Sequence, residues 1–498
     1  MNLLYNRLGR NGNLYIYLIS ILGLVLRLIN IDKPEGLWND EYVSWMVAST
    51  PLHNGFWQEV LKQCHMPLYY FYLKPFVNCS DLVLRLTSVV PSVFAIPVMY
   101  LAGKEFSRKT GRYTAALTAT LPFLIYYSQE VRFYSLVFLL CALSMLFTIR
   151  LLKTESKKNW ILWGSSLVLI LLTHVLGGIY VFFNALYVIY KKKHVPAKIV
   201  GLCGIVCIIV FVFGINILKM LPSSQWWGRF GYSNILFLFS DFLSPILTNN
   251  VNAPAVFFYT NDFICVALMT IPTVVAAVGL ILGAKKEKGI ALIALLTILG
   301  MTSLALTGNI VFITKYSIEV LPIFILLISL GFNKKFGNIL IGVLLFFYIC
   351  TVFTPYHPVW KARSEGNKLA ADMINSVNSD NIIFTYYAPK RFERYLKINP
   401  NTRFLTIEKT DRFKYQDKPE VILANVKKGE TASILILQSV SFIPQDKIKT
   451  AQEMNIPEMF ITFSKIKHGL ISALKQDFTD YKVENKGEWI LITAKKYK

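Results

Sequence analysis

The segment LVLILLTHVLGGIYVFFNALYVIY, residues 167–190, decides the topology of this chain. Read as one kinked span it leaves the membrane on one side; read as two spans joined at THVLGG, 173–178, it leaves on the other. Basic residues arbitrate, because loops on the cytoplasmic face carry the excess of Lys and Arg. Arg7 and Arg10 precede the first apolar run; Lys104, Arg108, Lys109 and Arg112 follow the second; Arg150, Lys153, Lys157 and Lys158 follow the fourth. The series continues with Lys191, Lys192, Lys193 and Lys198, then Lys285, Lys286 and Lys288, then Lys334 and Lys335. Every second connection is basic only if THVLGG is a turn. That reading predicts about eleven spans, with the N-terminus cytoplasmic and the C-terminus outside.

A span needs roughly 17–25 mostly apolar residues. The candidates are 14–31, 82–102, 112–129, 133–151, 159–176, 177–190, 198–218, 263–283, 289–307, 316–332 and 338–354. Composition agrees: a 54% hydrophobic fraction and a mean hydropathy of +0.47 place the chain among polytopic α-helical membrane proteins. The net charge of +23 is spread as short clusters between apolar runs, so it reads as a topology signal and no nucleic-acid partner is expected. Cys141, Cys203, Cys207, Cys265 and Cys350 fall inside apolar runs and read as small buried hydrophobes. Cys64 and Cys79 lie outside such runs, where an oxidising compartment would allow them to pair. The first run lacks a small-residue cleavage site and reads as an uncleaved anchor.

Residues 1–355 therefore form a transmembrane domain with two long outer loops, 32–81 and 219–262. In the first loop WNDEYVSWMV, FWQEVLKQ and MPLYYFYLKPF suggest short interfacial helices. Trp226, Trp227 and Tyr232 of the second suit the headgroup level. Residues 356–498 have the composition of a small extracytoplasmic α/β domain. It has a helical pattern near 364–377, strand-like runs at 380–386, 403–407 and 420–425, a helix near 464–475 and a terminal strand at 488–494.

Two constellations carry ionisable groups to the outer face. Asp40 and Glu41 follow the first span; neighbours in sequence do not share a helix face, so they are not the two opposed carboxylates of a glycosidase, which stand roughly 5–9.5 Å apart. Asn39 or Asp40 capping an interfacial helix, with Glu41 in its first turn, is the structural reading, and it is compatible with one carboxylate facing a cleft. YYSQEVRFYS, 126–135, places Glu130 and Arg132 where water is scarce. A guanidinium offers a planar fork suited to phosphate; the alternative is a local Glu130–Arg132 pair with Arg132 reaching to the interface. His65, His174, Arg229, Lys315 and Tyr316 fall at the same level. A lone histidine at a span end is more often hydrogen-bonded structure than catalyst. No GxGxxG, P-loop, GxSxG or HExxH motif is present, so nucleotide-driven and zinc-hydrolase chemistry has no support.

The order of features resembles the membrane-embedded glycosyltransferases of the GT-C superfamily, family 39-like, the bacterial relatives of protein O-mannosyltransferases and aminoarabinose transferases. The matching stretches are Asp40–Glu41, His65 to Tyr70, LRLTSVVPSVFAIPVMYLAGKEF (84–106), YYSQEVRFYSL (126–136), LLTHVLGG (171–178) and KYSIEVLP (315–322). Met66 stands where the family often has Pro, and Lys315 where it often has Arg. The resemblance implies a sugar donor on a polyprenyl phosphate, used on the outer face of the plasma (inner) membrane, and an acceptor hydroxyl on a lipid, a glycan or a protein. It implies Asp40 as base, with Glu41 orienting the acceptor or a loop residue. Arg132, Lys315 and Arg229 would hold the lipid phosphate, and Glu130, His65, His174 and Tyr316 would support the site. No cofactor is required by this chemistry; divalent metals occur in the superfamily, and no ligand set here demands one. The competing class is a lipid-linked saccharide flippase or other transporter, which would place its charges near the bilayer midplane on broken helices.

Overall fold

The computed structural model describes residues 2–32, 36–63, 65–193, 232–244, 263–306, 314–334, 336–353, 367–384, 392–397, 401–406, 419–437, 445–447, 449, 458–486 and 489–497. The candidate span 198–218, most of the 219–262 loop with Trp226, Trp227 and Arg229, and Cys64 lie outside them. The chain divides into two compact units, one drawn from Met1–Ile31, Ser44–Leu221 and Phe230–Lys361, the other from Asp32–Val43, Pro222–Arg229 and Ala362–Lys498.

The first unit is helical. Among the described residues four helices are long and apolar enough to cross a membrane: Asp81–Lys104, Tyr134–Lys153, Lys288–Leu306 and Thr314–Gly331; Leu14–Leu28 and Gly337–Val352 are shorter apolar helices. Serines start several of the basic-flanked helices. Ser107 and Ser156 accept the N–H groups of Thr110 and Asn159 at 3.0 and 3.1 Å, satisfying donors that the first turn leaves open. THVLGG is a turn. The Lys157–Thr173 helix stops because His174 is extended (φ −143°, ψ 123°), and the next helix, Gly177–Lys192, opens on the glycine pair.

The expected span 112–129 is instead two helices, Arg108–Thr120 and Pro122–Ser128. Pro122 supplies no N–H and forces Leu121 out of the helical region, to φ −60° and ψ 117°. The carbonyls released at this break are taken by the fully buried Arg27, whose Nη2 and Nη1 donate to Thr118 O and Ala119 O at 2.9 and 2.8 Å. A buried guanidinium at the negative end of a helix dipole is well placed, and Ser92 Oγ accepts its Nε–H at 2.7 Å. The expected span 316–332 likewise begins with a 3-10 segment, Thr314–Val320, before the Leu321–Gly331 helix.

Glycines let two of the described helices meet backbone to backbone. A Cβ added at Gly283 of the Phe263–Lys286 helix would stand 1.8 Å from Leu327 O, and one at Gly331 would stand 2.0 Å from Gly279 O. Two backbones in contact have no side chain to give way. Gly283→Ala is therefore expected to cost about 1–3 kcal/mol or more, whereas Gly342→Ala, with nothing within 4 Å of its Cβ, is expected to be tolerated. Thermal unfolding of the two variants in detergent checks this.

The second unit carries a five-stranded sheet of order β2-β1-β3-β5-β4. β1 (Asn381–Phe384) pairs in parallel with β2 (Arg403–Thr406) and β3 (Thr431–Leu437); β5 (Trp489–Lys496) runs antiparallel to both β3 and β4 (Phe478–Lys486). Its core gathers Ile374, Ile383, Phe384, Ile434, Leu470 and Leu491 from sheet and helices. The run 420–425, expected as a strand, is a helix, Pro419–Ala424. A six-residue apolar run does not declare its period, but Pro419 opens the helix and Ile422 and Leu423 within it are buried. β3 and the polar, mostly exposed β4 were not among the expected strands.

One contact of this sheet titrates. Asp380 Oδ2 accepts the Thr431 N–H and hydroxyl, both at 2.8 Å, and these bonds hold the carboxyl below its usual range. A depressed carboxylate contributes stability that is full above the ordinary Asp range and lost as pH falls through the lowered value. The group is exposed, so the effect is modest. Acidification is expected to lower the protection factor of the Thr431 amide in the wild-type chain, and Asp380→Asn is expected to flatten that dependence, as hydrogen exchange at stepped pH, corrected for the intrinsic rate, would show.

Candidate active site

Arg132 lies in the irregular stretch between the Pro122–Ser128 helix and the Tyr134–Lys153 helix. Gln129, Glu130, Val131, Arg132, Phe133 and Tyr134 are all buried. The stretch is pinned by its own polar groups: the Gln129 side chain donates to Arg27 O and Ile29 O at 3.0 and 2.6 Å, and Ser88 Oγ donates to Arg132 O at 3.3 Å. Backbone fixed in this way lets a buried arginine present its head group in one place.

That head group meets three kinds of partner. Nη1 donates to Ser44 Oγ at 3.3 Å, Nη2 is 3.5 Å from His65 Nε2, and the guanidinium carbon stands 5.4 Å from the Phe133 ring centre and 6.0 Å from that of Tyr134. His65 is oriented by Tyr70 Oη at its Nδ1, 2.5 Å away, and its ring meets Phe133 edge-on at 5.2 Å. Lys315 Nζ lies 5.7 Å from the Tyr134 ring and 5.6 Å from that of Tyr316. His174 stacks on Phe133 at 4.8 Å and stands 6.2 Å from Tyr316, while its Nδ1 is hydrogen-bonded to the fully buried Glu319.

The structure thus brings together Arg132, His65, His174, Lys315 and Tyr316 around the Phe133–Tyr134 pair. Glu130 is buried two residues before Arg132, and its carbonyl accepts the Arg132 N–H at 2.7 Å. Arg229 lies outside the described residues. Cationic groups held against aromatic faces, with little water, favour an anion of matching size. Among the described residues no group of three or more His, Cys, Asp or Glu side chains gathers at metal-binding range.

The acidic pair opens the Asn39–Ser49 helix. The cap differs from the expected one: Asn39 is the first helical residue, and it is Glu41 whose Oε2 accepts the Trp38 N–H at 3.1 Å. Glu41 is fully buried and makes this local bond, whereas Asp40 is half-buried. Helical spacing then separates the two carboxylates. By helical spacing Asp40 falls on the face of Ser44 and Glu41 on that of Trp45, each at i+4. The turn before the helix is held by Leu37, whose N–H donates to Tyr395 Oη at 2.8 Å and whose carbonyl accepts the Asn367 N–H at 3.3 Å. Gly36 has φ +83°, and a Cβ there would collide with the backbone of Lys368, so only glycine fits.

Ser44, Phe133, Tyr134 and Glu319 were not among the expected site residues. Glu319 had a legible signal, an acidic residue leading directly into the apolar run LPIFILLISL. The others are ordinary residue types whose role comes only from what they touch.

The fold is shared with solved ArnT structures and part of the chain matches a mannosyltransferase family model, in line with the resemblance read from the sequence. Residues 67–215 match the family model described as dolichyl-phosphate-mannose-protein mannosyltransferase. Among solved structures, ArnT from Cupriavidus metallidurans in the apo state is similar, with a TM-score of 0.54 and 9% identity over 97% of this chain and 98% of that one. The same protein bound to undecaprenyl phosphate gives a TM-score of 0.53 and 9% identity over 96% and 98%. No curated protein matches the chain by sequence.

Proposed function

We propose that this protein is an inverting glycosyltransferase that moves a sugar from a polyprenyl-phosphate donor to an acceptor hydroxyl on the outer face of the plasma (inner) membrane. The observation that carries the reading is the convergence of Arg132, Lys315, His65 and His174 on one pair of aromatic rings. Such a cluster suits a lipid phosphate, and the undecaprenyl phosphate bound to the similar ArnT structure supports that ligand class. The basic connections read from the sequence place the N-terminus in the cytoplasm and the 356–498 domain outside.

The chemistry asks little of the protein beyond placement. Asp40 takes the proton of the acceptor hydroxyl as its oxygen attacks the anomeric carbon; the bond to the phosphate oxygen breaks on the opposite face, and that oxygen leaves with the electron pair. Phosphate is a competent leaving group, so no acid partner is required. Arg132, Lys315 and Arg229 stabilise the charge gained by the departing phosphate, and Arg132 offers a bidentate fork. Glu130, His65 and Tyr316 hold the cationic groups and the sugar in place. Asp40 is favoured over Glu41 because Glu41 caps its own helix. The acceptor is a lipid, glycan or protein hydroxyl. Purified protein incubated with a panel of polyprenyl-phosphate sugars should transfer one of them with inverted configuration; binding with no transfer to any acceptor class would count against the proposal.

A further inference from the structure

Glu319 is a costly residue. It is fully buried, it leads into an apolar helix, and its Oε2 has no hydrogen-bond partner among the described residues. A carboxylate in such surroundings is retained for a purpose more often than by accident. Its Oε1 is bonded to His174 Nδ1. The two nitrogens of an imidazole leave the ring in nearly opposite directions, so the Glu319 contact turns Nε2 away from the buried carboxylate. His174 is itself 5% exposed, and its Nε2 makes no hydrogen bond among the described residues. Its ring is locked against Phe133, the same ring that carries Arg132 and His65, and stands beside Tyr316, which Lys315 covers.

We infer that Glu319 is a positioning residue that fixes His174, so that His174 Nε2–H donates to the lipid phosphate beside Arg132 and Lys315. The inference rests on the lipid-phosphate reading above and adds to it a third donor and the group that holds it. Glu319 touches no substrate; it acts through His174. Glu319 holds Nδ1, which fixes the ring and presents Nε2–H to a phosphate oxygen. No proton changes hands in this step.

Affinity for undecaprenyl phosphate, measured on the full chain in detergent micelles, tests it with four variants. Glu319→Gln keeps only a weaker amide partner for Nδ1–H. His174→Asn keeps an amide for Glu319 and removes the atom at Nε2, so the buried pair stays satisfied. Each is expected to weaken binding about tenfold, the loss of one charge-assisted bond. Because Glu319 works through His174, the double variant should bind no worse than His174→Asn, within about twofold. His174→Asn binding like the wild type overturns the inference, and so does a Glu319→Gln loss that persists in full in the His174→Asn background. Arg132→Ala separates the two readings. If it too leaves binding unchanged, the lipid-phosphate site is misplaced; if it alone weakens binding, only the role of Glu319 and His174 fails.

Discussion

Asp40→Asn is expected to lower sugar transfer by about 10²–10⁴-fold and to leave affinity for the lipid-linked donor unchanged. The amide is close in shape to the carboxyl and keeps a hydrogen-bond acceptor, so the start of the Asn39–Ser49 helix should form as before. What it cannot do is accept a proton from the attacking hydroxyl. The loss should therefore fall on kcat, with little change in KM for the donor. Glu41→Gln provides the contrast. Its carbonyl oxygen still accepts the Trp38 N–H, so the cap survives in weakened form and activity should fall far less. Turnover measured for both variants with radiolabelled donor checks the assignment, and a reversed ranking would hand the base to Glu41.

Arg132→Ala carries the second large effect, a loss of about 10²–10³ in kcat/KM. Its origin differs from that of the Asp40 variant. Donor affinity and turnover should fall together, because the guanidinium meets the phosphate in the bound donor and meets it more strongly as charge develops. Arg132→Lys should recover only part of the loss. A lysine restores the charge but not the planar fork, and its shorter reach forfeits the simultaneous approach to Ser44 and His65 that the guanidinium makes at 3.3 and 3.5 Å. Titration with undecaprenyl phosphate alongside steady-state kinetics separates the two contributions. Full activity in Arg132→Ala would remove the phosphate role.

The parts of this architecture that were legible in the sequence are those written in periodicity and charge. The basic connections identified THVLGG as a turn, and the helix indeed stops at Thr173 and restarts at Gly177. The ionisable residues 130 and 132 stood out because a charge inside an apolar segment demands an explanation. The break at Pro122 was available from the proline alone, yet hydropathy averages across it, so 112–129 read as one span. In the 356–498 region short runs gave weaker signals. Residues 420–425 look equally apolar as strand or helix, and β4 shows almost no apolar alternation because much of it is exposed. The acidic pair was legible as a pair and illegible in its division of labour. Only the Trp38–Glu41 bond shows which carboxylate closes the helix. The Glu319–His174 contact joins residues 145 apart, a pairing that no local pattern announces.

The proposed reaction breaks the bond between a sugar and a lipid phosphate. Proteoliposomes holding the wild-type protein and a polyprenyl-phosphate sugar, labelled separately in lipid and sugar, test it most directly. The sugar label is expected to leave the lipid and appear on an acceptor with inverted anomeric configuration, with one polyprenyl phosphate released per transfer. Movement of both labels together across the bilayer, with the sugar–phosphate bond intact, would contradict it and identify a transporter.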